Sequence, residues 1–153
     1  MTYKDGKQYK ATDSWDFICE NYALTGNANI QIAKAEKGGV LQISVATTDP
    51  SFFIGGSIYV DLEDNTFIIC TDKNLRKTTE NGTTSWYIFT PTEMAKLKTT
   101  AISAIRFYIK GNPQKFSSQI GNFTALNKKA YFSISDRKPE KFETASEISA
   151  LYP

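Results

Sequence analysis

From residue 29 onward the chain alternates apolar and polar positions, and Gly, Asn, Asp and Pro interrupt the alternation at short intervals. Ile30 and Ile32 sit between polar neighbours, Glu36-Lys37-Gly38-Gly39 makes a turn, and Leu41, Ile43 and Val45 then alternate with Gln42 and Ser44. Successive side chains of a strand point to opposite faces, so 29–48 reads as a hairpin with one wall on a core. Asp49-Pro50 breaks the pattern. Beyond Phe52, Phe53 and Ile54, the pair Gly55-Gly56 signals a bulge or a close backbone approach. Ile58, Val60 and Leu62 alternate with Tyr59, Asp61 and Glu63, Asp64-Asn65 turns the chain, and Thr66–Thr71 returns through Phe67, Ile68, Ile69 and Cys70. This is the clearest hairpin in the sequence.

Asn81-Gly82 marks a further hairpin turn ahead of a strand at Ser85–Phe89. Ala101–Lys110 reads as a strand with Ile105, Phe107 and Ile109 facing the core and Arg106, Tyr108 and Lys110 facing out. Gly111-Asn112-Pro113 opens a loop to about Asn122, and Phe123–Leu126 with Ala130–Ile134 forms a last hairpin around Asn127-Lys128-Lys129. Residues 14–24 fit two periods. Trp15, Phe17 and Cys19 alternate as in a strand, whereas Trp15, Ile18, Cys19 and Tyr22 recur at helical spacing; the company of so many strands favours the first.

Two segments read as helix. Thr90-Pro91-Thr92-Glu93 combines a capping hydroxyl, a proline at the first helical position and a glutamate that can reach back to the cap. It predicts a helix over 91–98 that buries Met94 and Leu97 and carries Lys96 and Lys98 near its C-terminus, where the helix dipole favours cations. In the tail, Pro139 can start a helix. Phe142, Ala145, Ile148 and Leu151 recur every third residue while Glu140, Glu143 and Glu147 take other sides, which fits an amphipathic helix of about three turns. That stripe could cover one end of the sheet or dock on another subunit.

The pattern predicts an all-β, mainly antiparallel fold: a β-sandwich or flattened barrel of about seven to nine strands, with a short helix at 91–98 and a C-terminal helix. Residues 1–135 would form the β domain, with polar residues 1–13 around Asp5-Gly6 as an N-terminal arm, and 136–153 the helical tail. Its inner walls are expected to meet through Ile43, Val45, Ile58, Val60, Ile69, Ile105, Phe107 and Ile109. Aromatic residues make up 13% of the 153 residues, which suits pleated, half-buried surfaces.

Composition removes several chemistries. The chain has no histidine, so a histidine-based triad is out and the commonest metal ligand is missing. Two distant cysteines, Cys19 and Cys70, cannot supply a zinc cluster; they could be bonded or be two buried thiols. A net charge of +2 is too small to mark a nucleic-acid or anionic-membrane binder. Gly38-Gly39 and Gly55-Gly56 lack the flanking pattern of a phosphate cradle, and no cofactor is implied. No run approaches the length of a membrane-spanning helix. Polar residues follow Met1 where a secretory signal would be apolar, so the cytoplasm or a virion is the expected location.

A few candidates remain. Asp61, Glu63 and Asp64 form an acidic cluster that could seat Ca²⁺, and Asp61 with Glu63 could act as the carboxylate pair of a histidine-free glycoside hydrolase. The plainer reading is a solvated hairpin end. Trp15, Trp86 and Tyr87 could line a sugar platform, although such aromatics more often belong to the core. Arg106, Tyr108 and Lys110 make a basic strip with an aromatic inside it, a weak pointer to single-stranded nucleic acid. Ser135 and Lys138 match Ser-x-x-Lys without companion motifs. Asn81-Gly82-Thr83 and Asn122-Phe123-Thr124 are sequons of a kind that arises by chance in a Thr-rich chain.

The stretches FFIGGSIYVDLEDNTFIICTDK and WYIFTPTEMAKLKTTAISAIRFYI, within residues 52–110, share an order of strand, turn, strand, capped helix with a Leu-Lys pair, and strand with Ile-Arg-Phe. In this the chain resembles small uncharacterised β-rich proteins of Bacteroidota bacteria and their bacteriophages. The resemblance implies provenance and no functional residues. The expected function is non-enzymatic: a structural or interaction protein with a protein partner or a second copy, such as a component of a phage particle or another assembly. The alternatives are a carbohydrate-binding module and the histidine-free hydrolase.

Overall fold

The computed structural model describes residues 8–19, 26–111, 120–129 and 140–153. The strands are β1 (Trp15–Cys19), β2 (Asn27–Lys34), β3 (Gly39–Ala46), β4 (Phe53–Ile54), β5 (Ile58–Leu62) and β6 (Phe67–Cys70), then β7 (Arg76–Thr79), β8 (Gly82–Phe89), β9 (Ile102–Lys110) and β10 (Gly121–Leu126). The helices are α1 (Pro91–Leu97) and α2 (Thr144–Ser149). The Asp5-Gly6 turn, residues 20–24, the loop at 112–119, the strand expected at Ala130–Ile134, and Pro139 lie outside the described residues.

The strands form one antiparallel sheet in the order β6-β5-β9-β10-β1-β2-β3-β8-β7, with β4 paired to β9. The all-β antiparallel architecture is the expected one, and of its two forms the flattened barrel is the nearer. A single sheet curls into a half-barrel until its own walls meet. Where β4 approaches β8, Ser85 Oγ donates to the Ile54 carbonyl at 3.3 Å and Tyr87 Oη to the Gly56 carbonyl at 3.1 Å.

The inner wall carries the alternating apolar residues. Ile43, Ile58, Val60, Ile105 and Ile109 are fully buried, and Val45 and Phe107 nearly so. Ile69 is the exception among the expected core residues: it is 51% exposed, because β6 turns Ile68 and Cys70 inward and Phe67 and Ile69 outward. In β9, Asp61 pairs with Ala104 and Leu62 with Ile102, which leaves Ser103 as an extra residue. This bulge resets the alternation, so Ile102 and Ile105 both face inward.

Helix α1 forms as its cap predicts. Glu93 N donates to Thr90 Oγ1 at 3.1 Å, Thr90 N donates to Glu93 Oε1 at 2.8 Å, and Met94 and Leu97 are buried. It lies against the β2–β3 turn, where Gly38 has φ of 78° and a Cβ on Gly39 would strike the Met94 sulfur. Helix α2 is shorter than the expected three turns. Asn127 takes both backbone groups of Phe142, accepting its N–H at 2.8 Å and donating to its carbonyl at 3.0 Å, and Lys129 N donates to the Glu140 carbonyl. Residues 140–142 are thus bound in extended form to the chain after β10, and the helix starts only at Thr144. Of the N-terminal arm, residues 10–12 run beside β2 through bonds from Thr12 N to the Ile32 carbonyl and from Lys34 N to the Lys10 carbonyl, both 2.9 Å.

Candidate interaction face

The outer wall of β6, β5 and β9 carries exposed apolar side chains. Antiparallel register aligns Thr124, Arg106, Tyr59 and Ile69 in one row across four strands, and Asp61 with Phe67 in the next. Phe67 is 53% exposed, and among the described residues it and Ile69 are the large hydrophobic side chains left in the open. Arg106 organises them. Its Nε and Nη2 each donate to an Asp61 carboxylate oxygen at 2.9 Å, a two-pronged bond that cancels the charge. The guanidinium lies 4.7 Å from the Tyr59 ring centre and 5.8 Å from that of Phe67, and the two rings meet edge to face at 5.9 Å. Beside them a groove of about 210 Å³ runs between Tyr59, Arg106, Tyr108 and Asn122. At its border β6 is a terminal strand of the sheet.

The basic strip is therefore not a basic site. Arg106 belongs to Asp61, Tyr108 is half-buried and Lys110 stands exposed at the end of β9. Sequence reasoning passed over Phe67, Ile69 and Tyr59. A run of four apolar residues at 67–70 reads as a strand buried on both faces. The available signal was parity, because Asp61 must face water, Tyr59 shares its side, and their β6 neighbours must follow.

The sugar platform does not assemble. Trp15 and Tyr87 are buried on the inner wall, and Trp86 is buried on the opposite face of β8. Their polar groups are engaged: Trp15 Nε1 donates to Glu147 at 2.8 Å and Trp86 Nε1 to Gln42 at 3.0 Å. The acidic cluster is divided among three cations. Asp61 is paired with Arg106, Glu63 with Lys141, and Asp64 with Lys96 at 2.5 Å. Lys96 and Thr66 hold the Asp64 carboxyl down at about 2. Among the described residues no group of three or more Cys, Asp or Glu could hold a metal ion. The tail stripe is spent within the chain: Ile148 and Leu151 are buried, Phe142 stacks on Phe17 at 6.2 Å, and Ala145 is half-buried. Thr144 Oγ1 also accepts the Ile102 N–H at 2.8 Å. Cys19 and Cys70 are buried and not bonded to each other, and burial pushes their thiols up to about 11 and about 12, so neither is a thiolate at neutral pH. Ser135 and Lys138 lie outside the described residues.

A second surface carries a polar row. Asp16, Asn29, Ser44, Thr84 and Lys77 form one unbroken row across β1, β2, β3, β8 and β7. Asn29 Nδ2 donates to Asp16 at 3.0 Å, and the Ser44 and Thr84 hydroxyls bond at 2.7 Å. The row floors an open groove of about 550 Å³. Among the described residues no helix is long and apolar enough to cross a membrane. No family model, curated protein or solved structure matches this chain.

Proposed function

We propose that the protein works by binding, as an interaction component of a multi-protein assembly, and that the outer face of β6, β5 and β9 is its contact surface. A phage particle is one such assembly. One observation carries this reading: Phe67 and Ile69 stand more than half exposed on a terminal strand, next to an arginine already neutralised and stacked. Aromatic residues and arginine dominate interface energetics, and an arginine that keeps its partner and its geometry costs little to desolvate. Among the described residues β6 ends the sheet, and such an edge offers main-chain donors and acceptors to a partner strand.

A photo-crosslinking residue placed at Ile69, with Thr78 on β7 as the matched control, tests the proposal in cells of the source organism. A discrete adduct at position 69 and none at 78 supports it. No adduct at either, or equal labelling at both, removes it.

The polar row on the opposite strands favours a second reading, carbohydrate binding. Amide, hydroxyl, carboxylate and ammonium groups in series suit a ligand rich in hydroxyls. A glycan array with the Asn29→Ala variant beside the wild type tests it, and an array with no response removes it.

A further inference from the structure

We infer that the closed end of the half-barrel holds an anion-binding cleft, separate from the interaction face, whose ligand is a phosphate group. The β2–β3 turn, the side of α1 and the end of the tail enclose a groove of about 350 Å³ lined by Lys34, Glu36, Lys37, Lys98 and Tyr152. Lys34 shares the inward side of β2 with Ile30 and Ile32, and it emerges where the core ends.

The lysines are positioned and uncompensated. Lys34 Nζ lies 4.8 Å and Lys98 Nζ 4.3 Å from the centre of the same Tyr152 ring. An aromatic face attracts each ammonium and fixes its place without removing its charge. The two ammonium groups can stand no further apart than the sum of those distances, about 9 Å. Among the described residues no carboxylate pairs with Lys34, Lys37 or Lys98, whereas Arg76, Lys96, Arg106 and Lys141 each have one. Glu36, the acid in the lining, offsets only one of the three charges. The excess equals the formal net charge of the whole protein, +2.

Two cations held on one ring repel each other, and a dianion bound to both relieves the repulsion. Compact ammonium groups on flexible stems suit phosphate as point charges. A single carboxylate would leave one of them unmatched.

Titration calorimetry of the full chain with inorganic pyrophosphate in low-salt buffer tests the cleft, because screening weakens exposed charges. Saturable binding should fall by about tenfold or more in the Lys34→Ala/Lys98→Ala variant. It should stay within about twofold in Lys73→Ala/Lys110→Ala, which removes the same charge elsewhere. Circular dichroism confirms that both variants fold. Co-sedimentation with phosphatidylcholine vesicles containing phosphatidylinositol phosphate asks for the source of the phosphate. Sedimentation that depends on Lys34 and Lys98 supports the cleft with a lipid headgroup as its ligand, and pyrophosphate binding without sedimentation supports it with a soluble one. An equal loss in both double variants overturns the inference. So does binding of a single-stranded oligonucleotide with no response to pyrophosphate.

Discussion

The sheet ends in two strands that are treated in opposite ways. At β7, Arg76, Lys77, Thr78 and Thr79 put charges and hydroxyls on the border, and Lys77, Thr78 and Thr79 are exposed. Such an edge resists pairing with another chain, since a partner strand would have to strip water from lysine and threonine. At β6 the same position in the architecture carries Phe67 and Ile69 in the open. Both strands are four residues long, so geometry does not separate them; side-chain chemistry does. Protection at one border and apolar exposure at the other argue that the exposure at β6 serves contact with another molecule.

The largest expected effect comes from erasing the difference. Phe67→Lys with Ile69→Lys gives β6 the character of β7. Affinity for the partner trapped by the crosslink at position 69 should fall by about 100-fold or more, as measured by sedimentation equilibrium. Stability should change by no more than about 1 kcal/mol, because both side chains are already half in water. A partner that binds the variant unchanged would show that the open edge is incidental.

Next in size is the fastening that draws the β7 border toward β5. Asp72 accepts the N–H groups of Gly56 at 2.9 Å and Asn74 at 2.8 Å, and Arg76 Nη2 reaches both of its oxygens. Arg76 in turn stacks on Phe53 at 4.6 Å. Burial pushes the Asp72 carboxyl up, but those backbone donors and Arg76 outweigh it and hold the group below its ordinary value of 3.8. A carboxyl lowered on folding stabilises the native state above its unfolded value, and that contribution drains away as pH falls through the folded one. Asp72→Ala should therefore cost about 2 kcal/mol at neutral pH in urea unfolding, from three donors left without their acceptor and partly rescued by water. The gap between wild type and variant should close below about pH 4. A gap that persists undiminished at low pH would mean that the carboxylate charge does not hold the borders together.

How far the fold can be read from residues alone follows from the same chemistry. Where apolar and polar residues alternate, as in Leu41–Val45 and Ile58–Leu62, the facing of every side chain follows from period two. The cap of α1 is local as well, since all of its atoms belong to Thr90–Glu93. The length of α2 is not local. It depends on Asn127 binding Phe142 from across the chain. Facing is lost where a strand is apolar at every position, as in Phe67–Cys70, because hydrophobicity then carries no period. For the same reason the outer patch stayed hidden; the cleft stayed hidden because its lysines and Tyr152 come from three separate segments.

The smallest expected effect is also the most discriminating. Arg106→Lys keeps the charge at the centre of the outer patch but loses the fork to Asp61 and the flat surface that lies over Tyr59 and Phe67. Arg106 and Asp61 are exposed at 45% and 27% of their side chains, so their pairing contributes about 0.5 kcal/mol or less to the fold. A merely structural arginine would show that small loss and nothing else. An arginine that preorganises a contact surface should show the same small loss in urea unfolding together with roughly tenfold weaker binding of the partner. The edges then differ for a reason that stability does not supply. Equal, small losses in both measurements would instead return Arg106 to the ordinary solvated face of a sheet, and with it the case for β6.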